Sequence, residues 1–202
     1  VARPSRYAPW MLQLLPRAVQ ALAATGSQVQ SYEGAVMFAD LSGFTPLCDA
    51  LMADGDEGAE LLADTLASVF DPLLMAIGAH GGDVLGFAGD SVTAGFTGMA
   101  DPLAAAASAG RAALEALSAA PERSAGGQLF HFSLRMGVSS GRYVVGLSRP
   151  PRGLGVFWVR GPAVSNAVSA QKRAPRGTLL VDGPAPGPAG LVFPLPLTAD
   201  PA

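Results

Sequence analysis

Two apolar runs, each closing on an aspartate, limit what this 202-residue chain can become more than any other feature. Ala35, Val36, Met37 and Phe38 lead into Ala39-Asp40, and the chain then turns through Ser42 and Gly43. Fifty positions after Asp40, the runs Val84 to Ala88 and Ser91 to Phe96 flank Gly89-Asp90. The first pattern predicts a strand ending in a carboxylate, with Thr45 as the N-cap of a following helix and Pro46 where that helix begins. The second predicts a tight β-hairpin with its acid at the tip. A strand-to-helix turn aims unpaired N–H groups and the positive end of a helix dipole at one point. Phosphate oxygens suit those donors, and a hard cation suits the neighbouring carboxylate. With Asp40 beside the hairpin tip, the two acids can share one or two Mg²⁺ ions bridging a nucleotide's phosphates. Each acid alone is more often an ordinary turn residue than a metal ligand.

The rest of the chain supplies a scaffold. Pro4 to Thr25 has Met11, Leu12, Leu15, Val19 and Leu22 at helical spacing, with Gly26 as its stop and Pro16 as a kink or break. Glu57 to about Ile77 repeats Leu62, Leu66, Phe70, Leu73 and Ile77 on one helical face, which Pro72 should bend or interrupt, and Gly81-Gly82 ends it. Pro102 to Ser118 is an alanine-rich helix able to lie close on a sheet, and Pro121 to Gln128 is a polar loop. Phe130 to Ser140 and Arg142 to Leu147 are expected as hairpin partners across Ser140-Gly141, followed by a loop from Arg149 to Gly155 and a strand at Val156 to Arg160. A helix over Pro162 to Ala174 and a last strand at Thr178 to Val181 complete the pattern. Strands and helices in this order suit an α+β, mainly antiparallel sheet of ferredoxin-like type with helices packed on it. The expected organisation is a helical extension over 1–30, a domain over 31–182 and a proline-rich linker or extended tail over 183–202.

Composition excludes several classes of function. Half of the residues are hydrophobic, 14% are charged and the formal net charge is −3, which leaves no basic footprint for nucleic acid. The single cysteine, Cys48, has no internal disulfide partner, so a reducing, cytoplasmic setting is expected. His80 and His131 lack metal-ligand spacing. The absence of an uninterrupted apolar run of about 18 residues argues against a membrane span in this piece. Because the chain starts at Val1, it is expected to be a fragment of something longer.

FADLSGFT and GGDVLGFAGD, followed by RMGVSSGRYVVG and VRGPAVSNAVSAQ, resemble the catalytic domain of class III nucleotidyl cyclases from about Glu33 to Val181. In flavour they look like the first cyclase domain of soluble, bicarbonate-responsive-type adenylyl cyclases. The resemblance implies the class III cyclase fold and conversion of ATP to 3′,5′-cyclic AMP and pyrophosphate. It implies two Mg²⁺ or Mn²⁺ ions at Asp40, Leu41 and Asp90, with Asp40 and Asp90 catalytic. Phosphates would be received by the backbone of Leu41, Ser42, Gly43, Phe44 and Thr45.

The departures from that family are one-sided. Its members work as head-to-tail dimers in which one domain carries the metal acids, while the other brings a purine-reading pair and a transition-state Asn and Arg. The places matching the Asn and Arg fall here on Ser165 and Ser169, or, with the frame shifted by one, on Asn166 and Ala170. Lys172 and Arg173 come too late in the helix and are expected to solvate its C-terminal end. The purine-reading positions fall on Gly86 and Trp158, which are degenerate for either purine, and no bicarbonate site is expected. The implied role is therefore the metal-carrying half of a cyclase, inactive as an isolated homodimer and completed by a second cyclase domain in the same or another polypeptide. A non-catalytic regulatory cyclase homology domain and a pure dimerisation module are the alternatives. GFAGDS in place of a GGDEF signature argues against a diguanylate cyclase.

Overall fold

A computed structural model describes residues 15–52, 55–148, 156–182 and 190–194, with only the backbone of 55–56 and 190–194. In chain order the elements are α1 (Arg17–Thr25), β1 (Val29–Ser42), α2 (Phe44–Leu51), α3 (Gly55–Ala79), β2 (Asp83–Ala88), β3 (Ser91–Thr97) and α4 (Pro102–Ala119). They continue with β4 (Glu122–Ala125), β5 (Gln128–His131), β6 (Ser133–Ser148), β7 (Val156–Arg160), α5 (Pro162–Arg173), β8 (Thr178–Asp182) and β9 (Gly190–Pro194). Among the described residues a seven-stranded sheet runs β2-β3-β1-β6-β7-β9, with β8 parallel to the first half of β6 while every other pairing is antiparallel. This is the mainly antiparallel α+β architecture expected. The parts of the expected N-terminal helix and tail at 1–14, 183–189 and 195–202, and the loop at 149–155, lie outside the described residues.

Period-two alternation along β1 gives the sheet two dry faces. Ala35, Met37, Ala39 and Leu41 point into one core with Val69, Leu73 and Ile77 of α3, Ala106, Ala109 and Ala113 of α4, and Met136 and Val138 of β6. Val36 points the other way, with Leu85, Tyr143, Val145 and Val159, under Val19 and Leu22 of α1 and Val164 and Ala167 of α5. Small residues set the approach distances. A Cβ at Gly137 would lie 2.0 Å from the Ala167 carbonyl oxygen, so only glycine lets α5 rest this close to β6.

Four expectations need correction. Ser140-Gly141 makes no hairpin: β6 is one strand paired with β1 from Ser133 to Gly146 without a break in register, and Gly141 takes φ 136° within the ladder. The polar loop at 121–128 contains β4 and starts β5, a separate two-stranded ribbon. Thr178–Asp182 is not the last strand, because Gly190–Pro194 adds to the edge at β7.

Finally, α3 runs through Pro72 without interruption. Proline has no N–H to offer the carbonyl four residues back, which here is Ser68. Arg123 of β4 supplies the missing donor: its guanidinium reaches the Ser68 carbonyl at 3.2 Å and the Ser68 hydroxyl at 2.9 Å. This helix is long and apolar enough to cross a membrane by length and composition, with a mean hydropathy of 1.5 in its most apolar window. One of its faces packs in the core.

Arg123→Ala should lower unfolding free energy by about 1 kcal/mol, the net worth of a typical hydrogen bond. In the Pro72→Ala background, where the helix supplies its own donor, the same change should cost less; equal costs in urea titrations of both backgrounds would refute the substitution of donors. Burial, with Tyr32 and Asp83 adding, pushes the Tyr143 phenol well above its ordinary value. Above about pH 10 the unfolded chain has released a proton that the folded chain keeps, so stability falls as pH rises. Tyr143→Phe should flatten that decline in thermal melts taken between neutral and strongly alkaline pH.

Candidate functional site

The site is built on strand register. Asp40 of β1 pairs with Ser91 of β3 on one side and with Arg135 of β6 on the other, and Arg135 pairs in turn with Thr178 of β8. Residues directly opposite one another share a face, so Ser91, Asp40 and Arg135 stand side by side. The Ser91 hydroxyl donates to Asp40 Oδ1 at 3.1 Å, and the Arg135 guanidinium donates to Asp40 Oδ2 at 2.7 Å. Asp40 is largely buried, its side chain 19% exposed, while that of Arg135 is 36% exposed. The Arg135 Nε is buried with no hydrogen-bond partner. An orphaned donor of this kind fits an anionic oxygen that protein atoms do not provide.

Asp90 joins the same place through the hairpin. Gly89 takes φ 62° to turn β2 into β3, and the Leu41 N–H donates to the Asp90 carbonyl oxygen at 3.1 Å, tying the tip to the end of β1. Asp40 and Asp90 both line a cavity of about 840 Å³, together with Leu41, Ser42, Gly43, Phe44 and Thr45. Neither Gly86 nor Trp158 lines it. Gly86 follows an irregularity in β2, whereas Trp158 lies on β7 with its ring across Gly146 and the Arg160 guanidinium 4.7 Å from its centroid.

The turn differs from expectation in one respect. Helix α2 starts at Phe44, so the N-cap position belongs to Gly43 and not to Thr45. Gly43 has φ 106°, and a Cβ there would lie 2.5 Å from the His131 carbonyl oxygen. Two constraints thus exclude a side chain at the residue before the helix. No side chain caps α2, which leaves its first-turn amides available at the cavity.

On α5 the structure places Ser165, Asn166 and Ala170 in the buried face, with the Ser165 hydroxyl donating to the Gly161 carbonyl at 3.2 Å. Arg173 does more than solvate the helix end, because it pairs with Asp182 of β8. The cavity also has walls that sequence reasoning missed: Arg135, His131 and Arg176 as basic groups, and Leu114, Leu117 and Pro121 as apolar ones. Arg135 was visible as a charge within an alternating strand; recognising its place beside Asp40 needed the β1–β6 register.

Among the described residues no three His, Cys, Asp or Glu side chains gather as a metal cage. Two carboxylates are nonetheless the usual protein share for Mg²⁺, which takes its remaining oxygens from water and substrate phosphates. The donor set fits a cation that arrives with a polyphosphate, and the orphaned Arg135 Nε fits the polyphosphate.

This topology, with two helices on each face and an acid-bearing turn and hairpin at one end of the sheet, is the class III nucleotidyl cyclase fold. The chain is similar to the adenylyl cyclase CyaB from P. aeruginosa, at 23% identity over 76% of this chain and 78% of that one, with a TM-score of 0.61. It is similar to the guanylate cyclase domain of RhGC from Catenaria anguillulae, solved in complex with GTP, at 16% identity over 75% and 79% of the chains and a TM-score of 0.60. A bacterial light-regulated adenylyl cyclase also matches, at 23% identity over 79% of this chain and 46% of that one, with a TM-score of 0.60. No family model and no curated protein matches the sequence.

Burial, then the charges of Asp49 and Asp90, push the Cys48 thiol up. At a fixed, mildly alkaline pH, Asp90→Asn should therefore speed alkylation of Cys48 by iodoacetamide. An unchanged rate would show that the Asp90 carboxylate does not face this end of α2.

Proposed function

We propose that this chain is the metal-carrying half of a class III adenylyl cyclase, converting ATP to 3′,5′-cyclic AMP and pyrophosphate when a second cyclase domain completes the site. The observation that carries this reading is the convergence of Asp40, Asp90 and the uncapped turn of α2 on one cavity. The cyclase fold supports it, as do the neighbours' names, two adenylyl cyclases and one guanylate cyclase domain; the assignment to ATP rests on the sequence resemblance.

In the proposed reaction the ribose 3′-hydroxyl oxygen attacks the α-phosphorus. The new O–P bond forms as the α–β bridging bond breaks, pyrophosphate leaves and the hydroxyl proton passes to solvent. Two Mg²⁺ or Mn²⁺ ions held by Asp40 and Asp90, with Leu41 beside them, would supply the charge that acidifies that hydroxyl and offsets charge on the leaving group. The protein's own part is orientation. With the Leu41 N–H held by the Asp90 carbonyl, the amides from Ser42 to Thr45 receive phosphate oxygens at the helix start, Arg135 offers its free Nε–H, and Ser91 and Arg135 hold the Asp40 carboxylate in place.

No cation stands at the matching places on α5, which Ser165, Asn166, Ser169 and Ala170 fill; Lys172 and Arg173 come only in its last turn, and Arg173 is committed to Asp182. A well-placed arginine is worth several powers of ten in such chemistry. Hence the requirement for a second domain, head-to-tail, bringing the Asn and Arg. In this reading the domain works in the cytoplasm, where ATP is supplied.

A second reading, a regulatory domain that binds nucleotide without turnover, is favoured by one detail: both Asp40 oxygens already accept hydrogen bonds from the protein.

The isolated chain should show almost no turnover. Mixed with a cyclase domain that carries the missing Asn and Arg, it should form cyclic AMP, and Asp40→Asn or Asp90→Asn should reduce that by about a hundredfold or more. Robust turnover by the isolated chain would end the half-site reading, and metal-dependent ATP binding without product beside every partner would favour the regulatory one.

A further inference from the structure

Among the basic groups around the cavity, Arg135 is committed to Asp40, but Arg176 is committed to nothing: no ion pair or hydrogen bond ties its guanidinium among the described residues. Its backbone, by contrast, is held firmly. The Gly177 N–H donates to the Leu134 carbonyl at 2.8 Å, and the Thr178 hydroxyl donates to the Pro175 carbonyl at 2.7 Å.

Register gives its position relative to the acids. The row Ser91, Asp40, Arg135, Thr178 crosses four adjacent strands. At about 4.8 Å per strand, β8 stands roughly 10 Å from β1. Arg176 lies in the turn that enters β8, and the bond from the Gly177 N–H to the Leu134 carbonyl holds that turn against the start of β6, where Ser133 pairs with Ser42 of β1. Ser42, Ser133 and Arg176 all line the cavity. The cavity therefore has an acidic end at Asp40 and Asp90, the free amides of the α2 turn beside it, and an uncommitted cation one strand beyond Arg135.

We infer that Arg176 receives the terminal phosphate of a nucleoside triphosphate whose α-phosphate end lies at Asp40 and Asp90, so that this loop reads the length of the phosphate chain. The inference rests on the nucleotide reading of the cavity proposed above. A guanidinium forms paired, charge-assisted hydrogen bonds to phosphate oxygens, and one without an internal partner breaks no existing pair to do so. A monophosphate anchored at the acids does not extend to it.

The test is calorimetric titration of the whole 202-residue chain in Mn²⁺ with ATP, GTP, AMP and GMP. Arg176→Ala should weaken both triphosphates about tenfold, which corresponds to about 1.4 kcal/mol, and leave the monophosphates within about twofold. Arg176→Lys should recover part of the loss, and Arg111→Ala, which removes an exposed charge on α4, should behave as the unaltered chain. Retention of the original triphosphate-to-monophosphate ratio in Arg176→Ala would overturn the inference, as would an equal loss for all four ligands. If the unaltered chain binds neither triphosphate in Mn²⁺, the nucleotide reading itself falls, and this residue's role falls with it.

Discussion

The long antiparallel pairing of β1 with β6 is the constraint on which the rest depends. Fourteen consecutive residues of β1 meet partners on β6, and that single alignment decides which side chains face which core. It puts Asp40 opposite Arg135, and it sends Ala35, Met37 and Ala39 toward α3 and α4 while Val36 goes toward α1 and α5. A slip of one residue would exchange the two faces and point Asp40 into the α3–α4 side. The dry cores on both faces therefore hold the geometry of the acid end as well as the stability of the sheet.

Much of this was legible in the sequence because the signals were local. The apolar run before Asp40 and the Gly89-Asp90 turn each sit within a few residues, and both elements occur where the pattern puts them. Gly26 ends α1 in the left-handed conformation, at the stop that the sequence places there. What escaped was non-local. Ser140-Gly141 carries turn chemistry, but fourteen ladder partners on β1 outweigh a local preference to reverse. Pro72 carries break chemistry, but Arg123 satisfies the Ser68 carbonyl from fifty-five positions away. Thr45 is a good N-cap residue, yet the helix starts one residue before it, at Phe44, behind a Gly43 that has no room for a side chain against the His131 carbonyl.

The same division applies to the candidate site. Asp40, Asp90 and the turn from Leu41 to Thr45 could be named from the chain alone, because motif and turn chemistry mark them. Arg135, Arg176, Ser91 and His131 belong to other strands and loops, and only the register gathers them. Their arrangement also sharpens the charge balance. Asp40 is not a bare carboxylate: the Ser91 hydroxyl and the Arg135 guanidinium already share its two oxygens.

At the opposite edge, α1 begins without a capping side chain of its own, and the carboxylate of Asp83 takes its place, accepting from the N–H groups of Arg17 and Ala18 at 3.0 Å each. Arg17 closes the clasp by donating to the carbonyls of Gly81 and Gly82. Nine residues are too few to hold a helix in water by themselves. The helix is thus borrowed from the sheet: its first turn is closed by a carboxylate at the start of the very strand that, six residues on, delivers the turn carrying Asp90.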